Sequence, residues 1–70
     1  MRHPAKQQAI TEQIRAEIRE GKYDKDQKLP TEAMYSMRFC VSRQTVRKAL
    51  DTLEAEQLIT RIQGSGSFVN

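Results

Sequence analysis

Two helix-start signals, eleven residues apart, limit the fold of this chain more than any other feature. The side-chain oxygens of Thr31 and Ser42 can each accept a hydrogen bond from the exposed N–H groups of a helix's first turn. Glu32 follows the first signal, where the positive end of the helix dipole favours a carboxylate. One helix of roughly nine residues is therefore predicted from this first signal to about Phe39, and another over about residues 43–56. Two helices separated by a turn of about three residues have the spacing of a helix-turn-helix.

An amphipathic helix is predicted before this pair, over residues 5–20. Its apolar residues recur at every fourth position: Ile10, Ile14 and Ile18. Gly21 follows, where a helix commonly ends in the left-handed conformation. The polar residues 22–28 are predicted to form a loop whose one aromatic residue, Tyr23, packs on the core.

A β-hairpin is predicted after the third helix. The β-prone residues 58–62 and 67–69 flank Gly64-Ser65-Gly66, which suits a tight turn. The predicted fold is therefore mainly α with a small β-hairpin: a winged helix-turn-helix of three helices plus a wing. The inward-facing residues of the second and third helices are predicted to be Met34, Met37, Phe39, Val46, Ala49, Leu50 and Leu53.

The composition favours a binding module over an enzyme. The chain has 70 residues, which suffice for one small domain, predicted over residues 6–70 behind a flexible tail of residues 1–5. A domain of this size has little room for a deep, dry catalytic cavity. Twelve Lys+Arg against nine Asp+Glu give a net charge of +3, which is compatible with a polyanionic partner.

Cysteine usage and hydropathy indicate a cytoplasmic protein without a metal or cofactor. The single cysteine, Cys40, excludes an intrachain disulfide and is predicted to be a semi-buried structural thiol. No signal peptide or membrane span is apparent. His3 has no second ligand at metal-binding spacing and is interpreted as a surface histidine. Six acidic residues are assigned to polar faces and helix ion pairs: Glu12, Glu17, Asp24, Asp26, Glu54 and Glu56.

The outward face of the third helix carries the residues best suited to contact DNA. Its apolar stripe leaves Arg43, Gln44 and Arg47 facing out, and the two arginines, four positions apart, lie one above the other. Arginine can donate two hydrogen bonds to guanine, and glutamine can bind adenine in the same way. Ser42 and Thr45, at the helix start, suit phosphate oxygens. The alternative is a solvated charged face, but the position within a helix-turn-helix favours DNA.

The hairpin turn is a second candidate contact. Its glycines permit close approach to DNA, and a minor groove can accept a narrow loop with a polar residue such as Gln63 beside Gly64. A phosphate-nucleotide cradle is disfavoured, because a lone Gly-x-Gly is more often a hairpin turn. Lys6 and Arg61 are candidate phosphate partners, with simple solvation as the alternative.

Three ordered blocks resemble the N-terminal DNA-binding domain of GntR-family bacterial transcriptional regulators: residues 29–32, 41–50 and 64–69. The resemblance covers about residues 6–69. It implies a domain that binds palindromic operators as a dimer, through the recognition helix, the wing and the first helix. The implied contact residues are Ser42, Arg43, Gln44, Thr45, Arg47, Gln63, Gly64 and Lys6.

The chain departs from the family pattern at four positions. Ala33 stands where many members carry an arginine, so a DNA contact made there by relatives is expected to be absent. Cys40 and Gln57 stand where the family usually has glycine, so each must tolerate the glycine's backbone geometry or shift slightly. Ser67 replaces the family threonine.

The resemblance also implies partners. Such regulators carry a separate C-terminal domain that binds a small-molecule effector and usually supplies dimerisation. The present chain, which ends directly after the wing, is expected to be an excised DNA-binding domain of a repressor. The Gln-Gly-x-Gly wing is compatible with the sugar-responsive branch, which includes arabinose-repressor-like members, so a sugar or sugar phosphate is the expected effector. The alternatives are a protein-interaction module that uses the third-helix face and, less favoured, a nucleotide-binding or catalytic fragment.

Overall fold

Three helices and a two-stranded antiparallel hairpin form the computed structural model, which describes residues 5–70. The elements are α1 (Ala5–Arg19), α2 (Glu32–Phe39), α3 (Arg43–Ala55), β1 (Ile59–Ile62) and β2 (Gly66–Val69). In the hairpin, hereafter the wing, Ile59 pairs with Val69 and Ile62 with Gly66, so residues 63–65 form the turn. The predicted winged helix-turn-helix is confirmed, and the bounds of each element differ from the prediction by at most one residue.

Both predicted N-caps are present. The side chain of Thr31 accepts a hydrogen bond from the Met34 backbone N–H at 3.1 Å. Ser42 accepts one from the Thr45 N–H, also at 3.1 Å. Because each cap replaces a missing intrahelical partner, α2 and α3 begin where their caps stand. The caps therefore define the turn between the two helices.

The hydrophobic core surrounds α3. The predicted apolar residues of α3 are buried as expected, and α3 packs against α1, α2 and the inner face of the wing. The buried apolar residues are Ile10, Ile14, Leu29, Tyr35, Val46, Ala49, Leu50, Leu53, Ile59 and Val69. Tyr23 packs against this core from the loop, as predicted.

The predicted inward face of α2 was wrong for its two methionines. Met34 is 58% exposed and Met37 is 80% exposed, whereas Tyr35 is fully buried. Tyr35 and Phe39, four positions apart, share the core-facing side, where their rings stack with centroids 5.8 Å apart. The aromatic pair occupies the space that the methionines were expected to fill. Burial also raises the pKa of the Tyr35 phenol.

Glu17 is a further correction, because this carboxylate is buried and not on a solvated face. Its side chain accepts hydrogen bonds from Arg38 Nη1 at 3.1 Å, Gln13 Nε2 at 2.9 Å and the Tyr23 hydroxyl at 3.3 Å. The Lys22 ammonium lies 3.6 Å away. This hydrogen-bonded cluster, hereafter the Glu17 cluster, joins α1 to α2 and to the loop between them.

Cys40 and Gln57 retain the backbone geometry expected of glycine. Both are left-handed, with φ of 58° and 64°, so neither position has shifted. Cys40 ends α2 and donates its backbone N–H to the Ser36 carbonyl. Its thiol is exposed, which corrects the prediction of a semi-buried one. The turn orients this side chain away from the core.

The loop before α2 extends the wing. The Leu29 N–H donates to the Ser67 carbonyl at 2.8 Å, and the Val69 N–H donates to the Gln27 carbonyl at 3.0 Å. Lys28 and Phe68 form an isolated antiparallel bridge between these bonds. The wing is thereby attached to the segment that leads into α2.

No helix within residues 5–70 is long and apolar enough to cross a membrane. Over the same residues, no group of three or more His, Cys, Asp or Glu side chains is arranged to bind a metal. Ala5 belongs to α1, so the helix begins within the tail predicted for residues 1–5. The interpretation of His3 lies outside the described residues.

Candidate nucleic-acid interface

A surface cleft separates α3 from the wing and from the start of α2. It is lined by residues 28–33, residues 61–64, Arg43, Arg47, Leu50, Gly66 and Ser67. Four of these residues are cations (Lys28, Arg43, Arg47 and Arg61), and one, Glu32, is an anion. Most of the charge in the cleft is therefore positive, which favours an anionic ligand.

The first turn of α3 presents polar groups beside the cleft. Arg43 and Gln44 are exposed, and Arg43 has no ion-pair partner in the part of the chain that the structure describes. The Ser42 and Thr45 hydroxyls lie 3.0 Å apart and bind each other. One of the two hydroxyls donates to the other, and the hydroxyl that accepts keeps its own proton free to donate to a phosphate oxygen.

Arg47 is exposed but already paired. Its Nε and Nη2 donate to the two carboxylate oxygens of Glu32 at 3.3 Å and 3.1 Å. This contact raises the pKa of the Arg47 guanidinium. A guanidinium has five N–H donors, so both donors on Nη1 and one on Nη2 remain free for a ligand. The residue can therefore bind a two-acceptor edge without leaving Glu32.

This role of Glu32 was not predicted from the sequence. The helix dipole alone explains why a carboxylate stands in the first turn of α2, but it does not explain the contact of Glu32 with Arg47. The available signal was the helix-turn-helix itself. Because α2 packs across α3, an acidic residue in the first turn of α2 can lie near a basic residue one turn into α3.

Arg61, a candidate phosphate partner, forms ion pairs with carboxylates of the protein itself. Its guanidinium pairs with Asp51, with Glu32 at 3.5 Å and with Glu54 at 3.9 Å. These contacts connect β1 to α2 and α3. Arg61 therefore stabilises the position of the wing, and little of its charge is available to a ligand.

The turn of the wing is open and narrow. Gly64 has φ of 83°, and the space where its Cβ would lie has no heavy atom within 4 Å. The Ser65 N–H donates to the Ile62 carbonyl at 2.9 Å and closes the turn. Gln63 is exposed beside it and lines the cleft. Glycine is required here by its backbone angle, while the empty space lets a ligand approach the backbone closely.

The structure brings together four of the eight predicted contact residues in the cleft: Arg43, Arg47, Gln63 and Gly64. Gln44 and Thr45 lie in the first turn of α3 and Ser42 is its N-cap, and all three lie outside the lining. Lys6 is exposed in the first turn of α1, in a separate groove beside Arg38, Phe39 and Val41. A single ligand that contacts every predicted residue must therefore extend well beyond the cleft.

Comparisons with known proteins agree with this architecture. The family model described as bacterial regulatory proteins, gntR family, matches residues 6–69. The HTH-type transcriptional repressor NagR of Bacillus subtilis is 43% identical over 61 residues, which are 87% of this chain and 25% of that protein. The arabinose metabolism transcriptional repressor of Geobacillus stearothermophilus is also 43% identical over 61 residues, which are 87% of this chain and 17% of that protein. The chain thus spans a quarter or less of these relatives.

A solved structure with DNA is similar to the fold. The crystal structure of the AraR DNA-binding domain in complex with operator ORE1 has a TM-score of 0.91 and 42% identity to this chain. The match covers 93% of this chain and 79% of that one. In that protein the same arrangement of helices and wing is observed with an operator.

Proposed function

The chain belongs to the GntR family of bacterial regulatory proteins, and from this premise we propose that it is the sequence-specific DNA-binding part of a transcriptional repressor. The family description is one of regulation, which confirms the expectation that the chain is not an enzyme. The relatives named above are repressors, and one similar structure contains an operator. The ligand proposed for the cleft is therefore operator DNA.

The observation that carries the proposal is the shared position of the α3 arginines and the wing turn. Arg43 and Arg47 line the same cleft as Gln63 and Gly64. A helix fits the major groove of B-DNA, while a narrow loop fits the adjacent minor groove. With α3 in the major groove, the wing would meet the minor groove beside it.

Each predicted contact residue then has a role that suits its chemistry. Arg43 and Arg47 would donate to guanine and Gln44 to adenine. The wing residues Gln63 and Gly64 would contact the minor-groove floor. Backbone phosphates would be bound by three residues outside the cleft lining: Ser42, Thr45 and Lys6.

The proposal is tested on the site that the chain prefers in a selection from random duplex DNA. Arg43→Ala and Arg47→Ala should each cost about 1–3 kcal/mol of discrimination between that site and a site changed at the contacted base pair. Arg19→Ala is the matched control, because Arg19 is exposed at the end of α1 and its loss changes the net charge equally. Circular dichroism checks that every variant folds.

Salt dependence separates DNA binding from the protein-interaction alternative. Phosphate neutralisation gives a steep linear dependence of log K on log salt concentration, which a protein interface seldom matches. If both arginine variants fold and bind the selected site like Arg19→Ala, the assignment of α3 as recognition helix is wrong. If the parent chain selects no site at all, the DNA-binding proposal is wrong.

Dimerisation, an effector and a cytoplasmic location are further parts of the proposal. The relatives are four or more times longer than the segment they share with this chain, which leaves room in them for another domain. We expect a homodimer that binds a palindrome and responds to a sugar or sugar phosphate. Fusion to a dimeric partner should tighten binding to a palindrome of the selected half-site, whereas equal affinity of monomer and fusion would contradict a dimeric mode.

A further inference from the structure

Lys28 is a cation of the cleft to which no role has been given. It lies directly before Leu29, is exposed, and lines the cleft with Arg43 and Arg47. Over residues 5–70 it makes no ion pair with a carboxylate, in contrast to Arg47 and Arg61. Lys28 and Arg43 are thus the two cleft cations of the described chain whose charge is not offset by a direct partner.

The fold fixes the Lys28 backbone against the wing. The residue forms an antiparallel bridge with Phe68, between two backbone hydrogen bonds made by its neighbours Gln27 and Leu29. The ammonium group is therefore carried by an element that is joined to β2. The backbone hydrogen bonds of Gln27 and Leu29 thus hold the base of the Lys28 side chain beside the wing.

Gly66 gives the lysine stem its path across the wing. A Cβ placed on Gly66 would lie 2.8 Å from Cε of Lys28 and 3.7 Å from its Cγ and Cδ. The aliphatic stem therefore lies over the glycine, along the space that a side chain would occupy. Gly66 also has φ of 125°, so both its backbone angle and the lysine stem favour glycine.

We propose that Lys28 is an additional DNA contact that binds a backbone phosphate beside the wing. The inference rests on the proposed function and extends its set of contacts. A compact ammonium group with three donors suits a phosphate better than a two-acceptor base edge. The contact would therefore add affinity for any duplex and no preference for sequence.

The test compares Lys28→Gln with Lys25→Gln over a salt series of about 20–150 mM. Lys25 is exposed on the same loop but does not line the cleft, so the two variants lose the same charge. Loss of one phosphate contact should reduce the slope of log K against log salt by about 0.9. This change in slope means that, if the parent and Lys28→Gln bind equally at about 1 M salt, Lys28→Gln binds about eightfold more weakly than the parent at about 0.1 M salt. The loss should be equal on the selected site and on unrelated duplex DNA.

Lys25→Gln should leave the slope close to that of the parent, and Lys28→Arg should restore it, since arginine retains the charge. Equal slopes for Lys28→Gln and Lys25→Gln, with parent binding intact, would overturn this inference alone. A loss confined to the selected site would also overturn it, because it would indicate a base contact. Absence of salt-dependent duplex binding by the parent chain would overturn the proposed function together with this contact.

Discussion

Replacing the buried carboxylate of Glu17 should destabilise the fold in a pH-dependent way. Glu17 is 3% exposed, and four side chains from α1, α2 and the intervening loop surround its oxygens. The hydrogen bond from Arg38 contributes most to lowering the pKa of the carboxyl, against burial, which opposes ionisation. Glu17→Gln keeps the shape of the side chain and removes its charge. The perturbation therefore isolates the ionised form.

The magnitude follows from the pKa. The carboxyl of Glu17 has a pKa of about 2 in the folded chain, against 4.5 for an ordinary glutamate. At about 1.4 kcal/mol for each tenfold change in proton affinity, this difference corresponds to on the order of 3 kcal/mol. The partner Arg38 has a side chain 38% exposed to solvent, which screens the interaction. We therefore expect Glu17→Gln to lower the free energy of unfolding by about 1–2 kcal/mol at pH 7.

The sign of the pH dependence follows from the lowered pKa. The folded state binds the proton less tightly than the unfolded state, so the stabilisation is complete above about pH 4.5. It is lost as the pH falls toward about 2. The difference between the parent and Glu17→Gln should thus be full at pH 7 and shrink progressively below pH 4.5.

Urea denaturation followed by circular dichroism at pH 7, 4.5 and about 2.5 measures this difference. Glu56→Gln is the control: Glu56 also pairs with an arginine, Arg15, at 2.7 Å, but at the surface. Its loss should change stability less, because solvent screens an exposed pair. A difference between the parent and Glu17→Gln that is the same at pH 7 and pH 2.5 would refute the assignment of the stabilisation to the ionised carboxylate.

Two further substitutions test the backbone geometry. Cys40→Gly should raise the free energy of unfolding by about 1 kcal/mol, because glycine adopts φ of 58° without a Cβ clash. Urea denaturation measures this gain. Cys40→Ala is the control, since alanine keeps the Cβ and should give no such gain. Gly64→Val should weaken operator binding by about tenfold in a titration, most strongly on A·T-rich flanks, since the side chain would separate the turn from the groove floor. Gly21→Val is its control, with the same φ of 83° and open surroundings but outside the cleft. Equal effects on affinity from the two valine variants would contradict a minor-groove role for the wing.

The fold was predictable from the sequence because its signals are local. Thr31 and Ser42 act through N–H groups in their own first turns, so their effect does not depend on the rest of the molecule. The buried face of α3 was predictable because this helix lies at the centre of the core, and its apolar residues therefore recur at helical spacing. The position of the wing turn followed in the same way from its two glycines.

The errors concern contacts between elements. In α2, Phe39 was predicted correctly as inward-facing but Met34 and Met37 were not, because only packing within the shared core selects Tyr35 as the partner of Phe39. The burial of Glu17 depends on Arg38, 21 positions away, which no helical period relates to it. The contacts of Glu32 with Arg47 and Arg61 likewise span 15 and 29 positions. Whether the predicted contact residues bind DNA remains a prediction, because that depends on a molecule other than this chain.

The charge arrangement of the cleft favours recognition of sequence over general attraction to a polyanion. Glu32 pairs with Arg47 and Arg61, so a phosphate that approaches these residues meets a carboxylate as well as the guanidiniums and gains little Coulomb energy. A guanine edge can still accept from the free donors of Arg47, whose orientation Glu32 already restricts, so less side-chain entropy is lost on binding. General attraction to the phosphate backbone is left to Lys28, which lines the cleft without an ion pair over residues 5–70, whereas Arg43 joins Arg47 in the proposed contacts with guanine. In the proposed complex, affinity and discrimination therefore depend on different cations, and substitutions at these positions should separate the two quantities.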